Sequence, residues 1–82
     1  QPVSAAQLVN ELEAGELATI FWELGGERRS RRIARAIVEQ RDMQRIETTL
    51  QLADTVERAC PRRGARTHPA TGVFQALRMA VN

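Results

Sequence analysis

The last third of the chain joins a basic segment to a strongly apolar helix. Residues 61–68, PRRGARTH, contain three Arg and no acidic residue, and Pro69 follows them. Proline is favoured in the first turn of a helix. On a helical wheel the residues after Pro69 have one narrow polar stripe, formed by Thr71, Gln75 and Arg78. A helix that is apolar over most of its circumference is normally buried.

A small domain has little interior in which to bury such a helix. The 82 residues make one domain, and a chain of this size buries only about two-thirds of its unfolded surface. We therefore expect Phe74 and Leu77 to pack inside, and the surface around Ala76, Met79 and Ala80 to lie against further protein. The first residue is Gln1, and the helix has no stop signal beyond Asn82. These features favour a single helical domain, residues 1–82, excised from a larger protein.

Composition excludes several classes of protein. No apolar run approaches the ~20 residues of a membrane span, and the N-terminus lacks the pattern of a signal peptide. The single cysteine, Cys60, can form neither an internal disulfide nor a zinc cluster. We expect a cytoplasmic protein with no membrane partner.

Charge is divided unevenly along the chain. Residues 1–27 contain five Glu and no basic residue, whereas residues 28–82 contain all twelve Arg and only five acidic residues. Such asymmetry favours a polyanionic partner for the second part, and Arg suits forked contacts to phosphate. A solvated Arg surface without a partner explains the charge equally well.

Helical signals cover the whole chain. Ser4 and Gln7 form a capping box for a first helix that we expect to reach Gly15. A second helix ends at Gly25-Gly26, and a third covers about residues 27–41. Thr48 or Thr49 caps a fourth helix, which Pro61 closes, and Thr67 or His68 caps the fifth. No segment alternates as a strand does. The sequence predicts an all-α domain of about five short helices in orthogonal packing.

Catalytic chemistry is not evident in the chain. His68 and Cys60 are the only His and Cys, and neither has a partner for a nucleophile–base pair. There is no Gly-rich phosphate loop and no zinc spacing. His68, before Pro69, favours helix capping over a functional role. We expect the segment alone to be inactive.

Binding to phosphate is the remaining chemistry. Arg28, Arg32 and Arg35 share one arc of the third helix with Arg31, although an Arg35–Glu39 pair on a solvated face is the alternative. The loop adds Arg62, Arg63 and Arg66. Phe21, Trp22 and Phe74 are expected in the core or at its edge. We therefore expect contacts to phosphates and to the shape of the nucleic acid, and no stacking on bases.

Three sequence blocks resemble a known family. GERRSRRIARAIVEQR, IETTLQLADTV and PRRGARTHPATGVFQALRMAVN are similar to the helical insert of the ribosomal RNA small-subunit methyltransferase H family, also called MraW. The resemblance covers about residues 4–82. It implies a sterile-alpha-motif-like insert in a Rossmann-like enzyme that uses S-adenosylmethionine to methylate N4 of a cytidine in 16S rRNA. The catalytic domain and the cofactor site would lie outside this chain.

The resemblance also indicates which residues to test. Those that match the family's motifs and suit rRNA binding are Arg28, Arg32, Arg35, Arg62, Arg63, His68, Arg78 and Asn82. Arg66 joins them as a further cation of the basic loop. Four positions depart from the family pattern: Leu24 replaces a usual aromatic residue, Gly26 a usual Glu, Arg29 a usual apolar residue and Gly72 a usual Arg. The implied partners are small-subunit rRNA and the parent catalytic domain.

Two other functions are alternatives to the methyltransferase insert: a stand-alone helical interaction module and a DNA-binding domain of the helix-turn-helix type. The second lacks a recognition helix with polar residues that read bases.

Overall fold

The protein folds as five helices. A computed structural model describes residues 4–61 and 67–82, and within these residues there is no strand. The helices are α1 (Ala5–Glu11), α2 (Ala14–Glu23), α3 (Ser30–Met43), α4 (Thr49–Ala59) and α5 (Ala70–Val81). The predicted all-α class is confirmed, whereas the sterile-alpha-motif-like arrangement stays a prediction.

The first two helices are divided earlier than the sequence predicts. The capping box is confirmed, since Ser4 Oγ accepts the Gln7 amide at 3.1 Å and Gln7 returns a bond to the Ser4 amide. However, α1 ends at Glu11, and Glu13 starts α2 with a capping box of its own. The guanidinium of Arg41 donates to the carbonyls of Val9 and Leu12 at the end of α1. These bonds satisfy carbonyls that a helix end leaves without partners.

The turn between α2 and α3 is built around Gly26 and Glu27. Gly26 has φ 64°, a left-handed conformation that glycine adopts without steric cost. The predicted stop at Gly25-Gly26 is confirmed. The carboxylate of Glu27 accepts the Arg29 amide at 2.8 Å, and α3 begins only at Ser30. The expected start near residue 27 is therefore wrong, because Glu27 holds a turn there.

The core lies between α2 and α3 and is closed by α4 and α5. Its largest fully buried side chains are Phe21, Leu17, Ile33, Ile37, Leu77, Val56, Val73 and Cys60. Thr48 caps α4 through the Gln51 amide at 3.1 Å. Cys60, next to Pro61, is buried as a small apolar residue.

Helix α5 begins with a cap from His68. The Nδ1 atom of His68 accepts the Ala70 amide at 3.0 Å, so the predicted capping role is confirmed. The polar stripe Thr71, Gln75 and Arg78 is exposed, as expected.

For α5, the expectation for Ala76 is wrong and the expectation for Phe74 is confirmed in part. Ala76 is fully buried, because α5 crosses the chain at Gly25, where the Ala76 Cβ would lie 3.0 Å from an added Cβ. Phe74 is only half-buried at the edge of the core. Met79 is exposed over 49% of its surface, as expected for a residue facing outward.

Among the described residues, no helix has the length and apolarity that crossing a membrane requires.

Candidate nucleic-acid interface

An open groove runs between the outer faces of α2 and α3. We call it the α2–α3 groove, and it encloses about 1030 Å³. Its lining residues are Ala14, Gly15, Ala18, Thr19, Trp22, Arg28, Arg29, Ser30, Arg31, Arg32 and Arg35. On the α2 side four of these residues are small, so the helix backbone lies close to the groove. On the α3 side five long Arg side chains form the wall.

The sequence places these faces outward by helical periodicity. On α2, Leu17 and Phe21 point into the core and have no exposed surface. Ala18, one position after Leu17, lies at the edge of the core, and Trp22, one position after Phe21, turns outward. On α3, Ile33 and Ile37 are fully buried, which leaves Arg31, Arg32 and Arg35 on the solvent side.

Arg28 lies outside the helix on which the sequence placed it. It belongs to the turn before α3, together with Arg29. Arg31 and Arg32 fall in the first turn of the helix, where no acidic residue is present. The N-terminal end of a helix dipole is positive. Arg31 and Arg32 therefore add positive charge where the electrostatic potential is already positive. A bound anion would relieve it.

Most of the groove's Arg side chains have no acidic partner among the residues that the structure describes. Arg29 is the exception, since its Nε lies 3.3 Å from Glu27 Oε2. For Arg28, Arg31, Arg32 and Arg35, no carboxylate of residues 4–61 or 67–82 lies within the 4.0 Å of an ion pair. The alternative, an Arg35–Glu39 pair, is therefore not formed. The groove presents four guanidinium groups that are free to bind phosphate.

Trp22 is the residue that the sequence analysis misplaced. It was expected at the edge of the core, but 55% of its surface is exposed and it lines the same groove as the Arg residues. A tryptophan is usually highly buried. The spacing of residues along α2 could have shown this position. Trp22 follows Ala18 by four residues and Ala14 by eight, so it shares their face of the helix rather than the face of Leu17 and Phe21. The argument against base stacking, which placed Trp22 in the core or at its edge, therefore does not hold for this residue.

The other predicted site residues lie apart from the groove lining. His68 Nε2 lies 3.6 Å from Glu57 Oε1, and its Nδ1 caps α5, so its two ring nitrogens are both engaged. Arg78 and Asn82 are exposed on α5 and at its end. Roles of these three in rRNA binding stay predictions. Arg62, Arg63 and Arg66 lie outside the described residues.

The described residues do not form a cofactor or metal centre. They contain no group of three or more His, Cys, Asp or Glu side chains that could hold a metal ion. The Gly25-Gly26 pair follows a helix rather than a strand, and Gly25 is packed against Gly72. The arrangement suits binding of a polyanion with an aromatic contact.

Sequence comparison assigns the family. A family profile described as the MraW methylase family matches residues 1–82. The chain belongs to the MraW methylase family. The predicted resemblance is thereby confirmed over its whole length.

Individual relatives in the family carry one name. The chain is 57% identical over 79 residues to a protein of Solibacter usitatus, with 96% of this chain and 26% of that protein covered. It is 56% identical over 82 residues to one of a Cyanothece species and 54% identical over 82 residues to one of Coprothermobacter proteolyticus, each time with all of this chain and 27% of the relative covered. All three are named ribosomal RNA small subunit methyltransferase H. The chain thus spans about a quarter of the length of these curated relatives.

Proposed function

We propose that this chain is the helical insert of a 16S rRNA (cytidine-N4)-methyltransferase. In this role it helps to bind small-subunit rRNA and to shape the active-site cleft. The observation that carries the proposal is the α2–α3 groove, whose Arg28, Arg31, Arg32 and Arg35 lack acidic partners among the described residues, in a chain of the MraW methylase family.

Methyl transfer itself is assigned to a part of the protein that this chain does not include. S-adenosylmethionine, bound there, would supply the methyl group. The residues described here would bind and orient the RNA by contacts to its phosphates, which fix register on a nucleic acid without reading its sequence. We expect the chain alone neither to bind S-adenosylmethionine tightly nor to transfer methyl groups. Micromolar binding of the cofactor to the chain in calorimetry would contradict this.

The test uses the full-length protein and purified small ribosomal subunits. Replacing Arg32 and Arg35 together by Ala removes two groove cations that have no acidic partner among the described residues. We expect KM for the subunit to rise with little change in kcat, the pattern of lost binding that is equal in ground and transition states. The slope of log K against log salt should shrink by about 0.7 per lost contact on a single strand.

A matched control is Arg45→Ala. Arg45 is exposed, lies between α3 and α4, and does not line the groove, so the variant loses the same kind of charge elsewhere. If Arg45→Ala raised KM as much per charge as the groove variant did, rRNA binding by the groove would be excluded. The stand-alone interaction module has no observation in its favour among the described residues.

A further inference from the structure

Trp22 and the Arg residues line the same α2–α3 groove. We propose that this groove is a stacking site for single-stranded RNA, in which an unpaired base lies on the indole of Trp22 and the neighbouring phosphates bind Arg28, Arg31, Arg32 and Arg35. The inference rests on the proposed function, which supplies RNA as the partner. It adds that the bound RNA is single-stranded and that Trp22 contacts one of its bases.

The exposure of Trp22 is costly unless something covers it. The adjacent Phe21 is fully buried, whereas Trp22 keeps 55% of its surface in water. Burying apolar surface yields about 25 cal/mol per Å², and the indole is among the largest apolar surfaces that a side chain offers. Its position within a groove, rather than on a convex surface, leaves room for a planar group beside the ring.

The floor of the groove provides that room. Gly15 has no atom within 4 Å of where a Cβ would stand, and Ala14, Ala18 and Thr19 are short. The groove is open to solvent, and its volume of about 1030 Å³ slightly exceeds the ~300–1,000 Å³ that small-molecule pockets occupy. A nucleotide with its flanking phosphates is therefore not excluded by size.

Charge and ring together favour single-stranded nucleic acid over other polyanions. An acidic peptide would satisfy the guanidinium groups but has no flat face to cover the indole. A duplex presents phosphates, but its bases are stacked inside and do not reach an aromatic side chain. Proteins that bind single strands combine a positive groove with aromatic stacking, worth about 1–3 kcal/mol per base. The α2–α3 groove contains both parts.

The chain offers a direct probe of this site. It contains a single Trp, so intrinsic fluorescence reports on Trp22 alone. We expect an unstructured RNA of about eight nucleotides, within the site sizes of single-strand binders, to quench that fluorescence. Inorganic polyphosphate, which has no bases, should bind through the Arg residues with an affinity that does not depend on Trp22.

Variants separate stacking from charge. With a labelled RNA in anisotropy measurements, Trp22→Ala should weaken binding by about 5- to 150-fold, and Trp22→Phe should retain most of the affinity. Because no phosphate contact is lost, the slope of log K against log salt should stay unchanged in Trp22→Ala. Met79→Ala is the matched control, since it removes an exposed apolar side chain on α5 outside the groove.

Three results would overturn the stacking site. These are RNA binding without quenching, equal affinities of Trp22→Ala and Met79→Ala, or quenching by poly-glutamate at the same affinity as by RNA. The last would indicate an acidic protein partner. If methyl transfer depended on Arg32 and Arg35 while Trp22→Ala bound RNA as Met79→Ala does, the proposed function would stand and the stacking site would not.

Discussion

The side chain of Asn10 on α1 binds both backbone polar groups of Ile46. Asn10 Nδ2 donates to the Ile46 carbonyl at 2.8 Å, and Asn10 Oδ1 accepts the Ile46 amide at 2.9 Å. The two residues are 36 positions apart in the chain, and Ile46 is only 3% exposed. One amide side chain thus fixes the α3–α4 connection to the first helix, in place of the partner strand or helix that backbone groups usually have.

Asn10→Ala should therefore destabilise the fold by about 2 kcal/mol. The substitution leaves a buried donor and a buried acceptor without partners, and each unsatisfied group costs about 1–3 kcal/mol when water does not reach it. The measurement is urea unfolding followed by circular dichroism. Gln44→Ala, an exposed residue of the same connection, should change the midpoint little. If the two variants lost the same free energy of unfolding, water would be replacing the hydrogen bonds of Asn10.

Gly25 is required for space rather than for backbone conformation. A Cβ on Gly25 would collide with the carbonyl oxygen of Gly72 and lie 3.0 Å from the Phe21 carbonyl oxygen. We predict that Gly25→Ala costs about 1–3 kcal/mol, the usual range for overpacking, because α5 must move away from α2. Gly15→Ala is the control: nothing lies within 4 Å of its Cβ position, and alanine favours a helix by up to about 1 kcal/mol. The melting temperature should therefore fall in Gly25→Ala and rise in Gly15→Ala. A lower melting temperature in both variants would exclude the steric explanation.

Local signals predicted the helices well, and distant contacts explain some of the errors. The caps at Ser4 and Thr48 depend on residues three positions away, so the sequence reveals them. The Glu13–Glu16 capping box that starts α2 is also local, and the sequence analysis did not use it. The bonds from Arg41 to the end of α1 join residues up to 32 positions apart, so no local pattern predicts them.

The candidate site was predicted in part for the same reason. The Arg residues of α3 follow from helical periodicity, and their exposure is confirmed. The position of Trp22 depends on where α3 packs against α2, because α3 covers the core stripe and leaves the small-residue face open. A single aromatic residue beside a fully buried Phe21 does not show which of the two faces inward.

Two positions that the resemblance marks as departures from the family pattern, Arg29 and Gly72, both lie near Glu27. Glu27 pairs with Arg29, where the family usually has an apolar residue. A Cβ on Gly72, where the family usually has Arg, would lie 3.9 Å from Glu27 Oε1. We expect Arg29→Leu alone to destabilise the fold by up to about 1 kcal/mol, in the range of partly exposed ion pairs. Gly72→Arg alone should also destabilise the fold, because its Cβ would lie 3.2 Å from the Gly25 carbonyl oxygen. In the double variant the new guanidinium gives Glu27 a partner, so the combined loss of stability should be smaller than the sum of the two.

A double-mutant cycle of stability measures this coupling. The sum of the two single effects should exceed the loss in the double variant by more than the ~0.3–0.5 kcal/mol within which independent sites add. The same cycle with Glu27→Gln in the background removes the shared carboxylate and should abolish the coupling. Additive effects in both backgrounds would show that positions 29 and 72 do not share Glu27.

The two phenylalanines should differ in their contribution to stability. Phe21 is fully buried, so Phe21→Ala should cost about 3–5 kcal/mol, a large part of the ~5–15 kcal/mol that holds a domain together. Phe74 is half-buried at the core's edge, and Phe74→Ala should cost clearly less, because less surface returns to water. Chemical denaturation compares them directly. A larger loss for Phe74→Ala would place the centre of the core nearer to α5 than the structure has it.

Met79 tests whether α5 contacts further protein. It is 49% exposed on a helix whose neighbours Ala76 and Leu77 are buried, so the chain itself covers only part of its side chain. We predict that Met79→Ala costs the 82-residue chain little. In the full-length protein, if the rest of the enzyme packs on this side of α5, the same change should lower stability by about 2 kcal/mol, at the low end for truncating a buried Met. Thermal melts of both proteins make the comparison. The control is Gln75→Ala on the exposed polar stripe, which should leave the melting temperature of both proteins unchanged. Equal small losses for Met79→Ala in both proteins would show that Met79 stays in water in the full-length enzyme and that the outer face of α5 is not covered there.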